Sequence, residues 1–169
     1  MKKSVNVSAF FFYILSLNLE IMVIDSLKKL FDRDLDRLKN ELSSYKDELK
    51  LWEVKKNIKN SGGNLSLHII GNLNYFIGAI LGNNGYKRDR EAEFTKNNVP
   101  VSVLLQNIDN VKTTIYNTLE GLSEGELVEN FPINVFGYEM SKLFFLMHLH
   151  SHLTYHLGQI NYHRRLIDK

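Results

Sequence analysis

Between Ile24 and Leu49 the apolar residues Leu27, Phe31, Leu35, Leu38, Leu42, Tyr45 and Leu49 recur at steps of three and four. That spacing predicts one amphipathic helix, with Asp, Glu, Lys and Arg forming a solvated opposite face. Trp52 falls just past its end, and residues 55–63, rich in Lys, Asn and Gly, predict a loop. Asn64 is placed to cap a second helix running to about Leu81, with Leu65, His68, Ile69, Asn72, Tyr75, Phe76 and Ala79 along one side. A third helix is expected from about Ser102 to Leu122, turning Leu104, Leu105, Ile108, Val111, Ile115 and Leu119 inward. A fourth is expected from about Tyr138 to Ile167. Between them, residues 82–100 form a long polar connection, and the alternation at Phe131, Ile133 and Val135 suggests a short strand pair. The pattern as a whole predicts an all-α chain folded as a four-helix bundle, with the long loop between helices two and three.

Composition narrows the chemistry. There is no cysteine among the 169 residues, so a thiolate nucleophile, a cysteine zinc site and a disulfide framework are all excluded. Any metal must sit on His, Asp or Glu. The formal charge of +2, with no basic stripe interleaved with aromatics, gives no reason to expect nucleic acid. The expected partner is a small-molecule substrate, with room for a homodimer. Residues 1–21 need a separate reading. Lys2-Lys3 and the apolar run Ala9 to Leu17 resemble a secretory leader, yet the run is too short for a membrane span and lacks a small-x-small cleavage pattern. Residues 1–21 are therefore taken as an N-terminal extension from an upstream start codon, with an atypical signal as the alternative. Residues 22–169 are the domain, expected in the cytoplasm.

Five of the six histidines lie in the last helix. At about 100° per residue, His152, His163 and His156 fall within about 80° of His148, whereas His150 points roughly the opposite way. Residues four apart are about 6 Å apart along the axis, so either His148 with His152 or His152 with His156 can share an ion. His163 lies about 10 Å beyond His156, too far to join easily. The only histidine outside that helix is His68, on the inward stripe of the second. Three neutral imidazoles plus water make an open site suited to zinc, nickel or a similar divalent ion.

Three ordered motifs sharpen this. They are Leu67-His68-Ile69-Ile70-Gly71-Asn72-Leu73, then Arg88-Asp89-Arg90-Glu91-Ala92-Glu93-Phe94, then His152 followed by Tyr155-His156-Leu157-Gly158-Gln159-Ile160. Together they resemble a branch of the DinB/YfiT-like superfamily whose members are described as having unknown function. The resemblance spans residues 22–167 and implies a DinB-like bundle holding a divalent metal on His68, His152 and His156. It thereby selects His152/His156 over His148/His152. Relatives in the wider superfamily include transferases that use low-molecular-weight thiols, a thiol-dependent isomerase and proteins labelled metal-dependent hydrolases. The family ending usually has an apolar or aromatic residue at His163, and His148 and His150 are additional, so these three are expected to be solvent-exposed or to blur metal stoichiometry.

Asn72, one turn beyond His68, is placed to approach the open metal position or to bond nearby backbone. Arg88 and Arg90 could clamp an anionic substrate; Asp89 and Glu93 are expected to pair with the arginines and pin the loop. The functional expectation is a metal-dependent enzyme of the thiol S-transferase type. A metal-dependent hydrolase and a non-catalytic metal-binding or stress-related protein are the alternatives.

Overall fold

The computed structural model describes residues 7–55 and 57–169, with the side chains of residues 7–22 and of Glu124 excepted. Four long helices make the bundle: α1 (Val7–Ser43), α2 (Gly62–Leu73, continuing as a π-helix over Asn74–Leu81), α4 (Val101–Glu120) and α6 (Lys142–Ile167). Two short helices, α3 (Arg90–Thr95) and α5 (Glu124–Val128), lie in the connections. The expected stripes form the core: Leu27, Phe31, Leu35, Leu38 and Leu42 of α1 and Leu104, Ile108, Val111, Ile115 and Leu119 of α4 are all buried.

Several boundaries differ from the local pattern. Helix α1 begins at Val7, so the boundary expected at residues 21/22 falls inside one continuous helix. Residues 1–6 of the proposed extension lie outside the described residues. The C-terminal end of α1 comes at Ser43, where Ser44 Oγ bonds back to Asn40 O at 2.6 Å. Leu49 then belongs to a 3₁₀ turn, Glu48–Trp52, capped by Asp47. The N-cap of α2 is Ser61, not Asn64. Gly62 and Gly63, expected in a loop, form its first turn, with Tyr45 and Leu51 closing on Gly62 and Trp52 on Gly63. A Cβ on Gly63 would meet the indole ring at 2.6 Å. The expected strand pair is not formed. Instead a single bridge between Asn130 and Ser141 closes the loop, with Phe131 N donating to Met140 O at 2.8 Å. Ser141 caps α6, so that helix starts after Tyr138 rather than at it.

The long connection has a topological cause. Helix α4 runs antiparallel to α1, since Lys112 pairs with Asp32 and Asp36 while Lys39 pairs with Asp109. Helix α6 runs parallel to α1, because His150 bonds Asp34 and Arg164 bonds Glu41. Helix α2 opposes α6, so α2 and α4 point the same way; ideal Cβ atoms on Gly78 and Gly82 would meet Thr114 and Thr118. Two parallel neighbours need a connection that travels back along the bundle. Residues 82–100 do this, returning beside α2 until Asn64 Nδ2 donates to Glu93 O and Lys96 O. The returning segment is held against α2 and carries Arg88 and Glu93 past His68.

Candidate metal centre

His68 is buried on α2, and His152 and His156 are half-buried one turn apart on α6. Because α2 and α6 are antiparallel, their three rings meet. His152 Nε2 lies 3.3 Å from His68 Nε2 and 3.0 Å from His156 Nε2. One ligand nitrogen from each ring falls within 4.8 Å of the others, forming a group that could hold a metal ion. Tetrahedral zinc with Zn–N of about 2.0–2.1 Å requires nitrogens roughly 3.3–3.4 Å apart. The chemistry and the spacing of the donors therefore both fit a divalent ion.

Two neighbours prepare the rings. His68 Nδ1 donates to Glu93 Oε2 at 2.9 Å, and His156 Nδ1 donates to Gln159 Oε1 at 2.7 Å. An acceptor at Nδ1 places the proton there and leaves the Nε2 lone pair turned to the shared space. Burial, reinforced by the neighbouring His156 and His68 rings, pushes His152 down to about 4. Burial also lowers His156. Both are therefore neutral near pH 7, the form that ligates metal. Glu93 is only 5% exposed. Burial would raise its pKa, but the hydrogen bonds from His68 and Arg88 outweigh this and hold it below the usual carboxylate range.

Residues 15–169 match the family described as "Protein of unknown function (DUF1572)". The chain belongs to that family. The match begins ahead of Met22 and covers all of the residues around the three histidines. No curated protein matches the chain.

The remaining candidates are placed as follows. Asn72 is 8% exposed, one turn beyond His68, and its Oδ1 accepts no hydrogen bond among the described residues. The backbone-bonding role considered for that oxygen is thus unfilled. Arg88 gives Nε to Glu93 Oε1 at 2.7 Å and Nη2 to Oε2 at 2.9 Å, with its guanidinium over the rings of Tyr75 and Phe76. Asp89 caps α3 by accepting from Ala92 N. Arg90, the first residue of that helix, is exposed.

The other histidines are not solvated extras. His163 is 4% exposed: Tyr45 Oη donates to its Nδ1 at 2.7 Å, and its Nε2 donates to Glu53 O at 2.9 Å. His150 bonds Asp34 Oδ2 at 2.9 Å and meets Phe31 edge-on. His148 stacks on Phe145, with its ring centre 6.2 Å from that of His152. The functional residue whose role sequence reasoning missed is Glu93. It does pin the loop through Arg88, but it also bonds and orients the His68 ring. The signal for it was a carboxylate in the same motif as the arginines, which can be read only once the loop is known to return beside α2.

Proposed function

We propose that this chain is a divalent-metal-dependent enzyme that joins a small thiol to an electrophilic small molecule, with zinc or nickel on His68, His152 and His156. The observation that carries the reading is the convergence of three imidazole nitrogens with no fourth protein ligand among the described residues. Structural sites usually close with four ligands, whereas an open position is the mark of a catalytic one. A bound divalent ion supplies Lewis acidity, lowering the pKa of a thiol or water in its open position. The rest falls to the chain itself. Glu93 and Gln159 hold two rings in the ligating tautomer. Both Glu93 oxygens are occupied by His68 and Arg88, which leaves this carboxylate unavailable as a general base. That favours a thiol, whose proton is lost more readily than that of water. Asn72 Oδ1 is the acceptor available for a substrate N–H or O–H. The resemblance to the DinB/YfiT-like proteins supports the same assignment.

Hydrolysis is the second reading, and His148 is the observation that favours it. Burial lowers its pKa, so a neutral imidazole stands beside His152 able to take a proton from water. The deciding experiment treats metal-loaded chain with a panel of low-molecular-weight thiols and electrophiles. Thiol consumption that is absent in His68→Ala is expected. Turnover that proceeds without any thiol would establish the hydrolase instead. A loaded protein inert to every combination would point to a non-catalytic metal-binding role.

A further inference from the structure

Helix α6 has no Asp, Glu, Lys or Arg between Lys142 and Arg164. Its inner side is buried through Phe145, Leu149, Leu153 and Ile160. The opposite side, where a bundle helix is normally polar, carries Phe144, Met147, Tyr155, Tyr162 and Leu166, between 46% and 65% exposed. Ser151 and Gly158, also exposed, complete a stripe at steps of three and four. This stripe is nearly palindromic. Counted outward from Tyr155, Phe144 and Leu166 are equally distant, Met147 answers Tyr162, and small Ser151 answers small Gly158.

The two halves also differ in the grooves they edge. The C-terminal half, Tyr155, Gly158, Tyr162 and Leu166, forms one wall of a groove of about 670 Å³. Residues 57–60 line it too. The N-terminal half exposes Phe144 and Met147, with Met147 and Ser151 edging a smaller groove of about 240 Å³ against Val23 and Leu27 of α1. We infer that this face of α6 is the interface of a two-fold homodimer, in which two α6 helices pack antiparallel about Tyr155. Each copy then inserts Phe144 and Met147 against the groove of the other, the same patch meeting itself as a two-fold interface requires. The stripe itself carries no charge between Lys142 and Arg164, and Lys59 is the one lysine among the residues lining the groove. Each half-exposed aromatic offers roughly 100 Å² of surface. With Phe136 and Tyr138, exposed beside the start of α6, the face approaches the roughly 800 Å² per partner of a standard interface. Tyr155 at the axis accepts from Gln159 Nε2, and Gln159 holds His156. The pairing therefore sets one three-histidine group on each side of the axis.

The test is sedimentation velocity on the full chain over about a hundred-fold range of concentration, where a dimer obeys mass action. Wild type is expected at twice the 19.7 kDa chain mass. Met147→Glu should weaken association about a hundredfold or more, because symmetry buries the new charge twice. Its helical fold, read by far-ultraviolet circular dichroism, should be unchanged, since Met147 is 57% exposed, whereas its melting temperature should lose the concentration dependence that a dimer confers. The register is tested by the double variant Met147→Glu with Tyr162→Lys, in which opposite charges face across the axis and the dimer returns. Several results would overturn the inference. These are a wild-type monomer throughout, a dimer indifferent to Met147→Glu, a double variant that stays monomeric, or a monomer that floats with phosphatidylcholine–phosphatidylglycerol vesicles.

Discussion

Helix α6 carries two kinds of histidine, the buried His163 and the half-buried His152 and His156, and they differ in what their ring nitrogens face. At His163 both nitrogens are used, one accepting from Tyr45 Oη and the other donating to Glu53 O. At His152 and His156 the Nε2 atoms face each other at 3.0 Å and His68 at 3.3 Å, close enough together to share one cation. Burial lowers the pKa in both places. Neutrality is thus common to both and does not mark a ligand. The mark is three Nε2 atoms turned toward one another rather than toward partners elsewhere in the fold.

That contrast breaks most visibly in metal content. Alanine at His68, His152 or His156 should each remove most of the ion after dialysis, since losing a ligand costs more than the ~10–100-fold of a supporting change. His163→Ala should retain it. Elemental analysis across the four variants decides. Equal loss in His163→Ala would dissolve the distinction, and full retention in His68→Ala would reduce the centre to adventitious binding on α6.

Stability should respond in the opposite order. His163→Ala strands the buried Tyr45 hydroxyl and the Glu53 carbonyl and leaves a cavity, which should cost roughly 2–4 kcal/mol. Urea unfolding of metal-free protein measures it, with His156→Ala, on a half-exposed position, expected to change far less. A third comparison sits within the centre. Glu93→Gln keeps the size of the side chain but weakens the acceptor at His68 Nδ1 and the pairing with Arg88. Metal affinity should fall about 10–100-fold, measured by competition with a chelator. No change would make Glu93 a loop anchor alone.

How much of this could be read from sequence follows the same line. The apolar stripes of α1 and α4 and the angular grouping of the histidines are local periodicities, and they survive in the structure. The choice of His156 over His148 came from resemblance, because both pairs satisfy the spacing. What local pattern could not carry was anything set by another element's approach. Gly62-Gly63 reads as a loop until Tyr45 and Leu51 close on the first glycine and Trp52 on the second. Glu93 reads only as a partner for the loop arginines until the parallel arrangement of α2 and α4 brings the loop back past His68. His163 shares the angular stripe of the ligands, but its partners come from the segment between α1 and α2, which a helical wheel does not include.

The pH response should sharpen the comparison by a smaller margin. His163 is lowered mainly by burial, partly countered by its bond to the Glu53 carbonyl. Its surroundings also include Tyr45, raised by burial, and the charged Glu41, Arg164 and Asp168. A histidine whose folded pKa lies below its unfolded value of about 6.5 favours folding in its neutral form. Its contribution is complete above that value and is lost as pH falls below it toward the folded pKa. His163→Gln keeps an amide donor and acceptor but does not titrate. The drop in urea midpoint between pH 7.5 and 5.5 should therefore be smaller in this variant than in wild type, with the other histidines contributing equally to both.

The smallest expected effect concerns Asn72, and its interest lies in the absence of a cost. A buried amide oxygen without a partner is a penalty already present in the fold. Replacing it by an apolar group of similar shape should be nearly neutral or slightly stabilising. Asn72→Leu is accordingly expected to shift the thermal midpoint by no more than about 2 °C, and to leave metal content unchanged because the three imidazoles are untouched. What it should remove is the unpartnered acceptor one helical turn from His68, so on the proposed reading any ligand found in the thiol and electrophile screen should bind more weakly. A clear loss of stability would instead show that Oδ1 is satisfied in solution, by water or by a neighbour, and that Asn72 belongs with His163 among the structural residues.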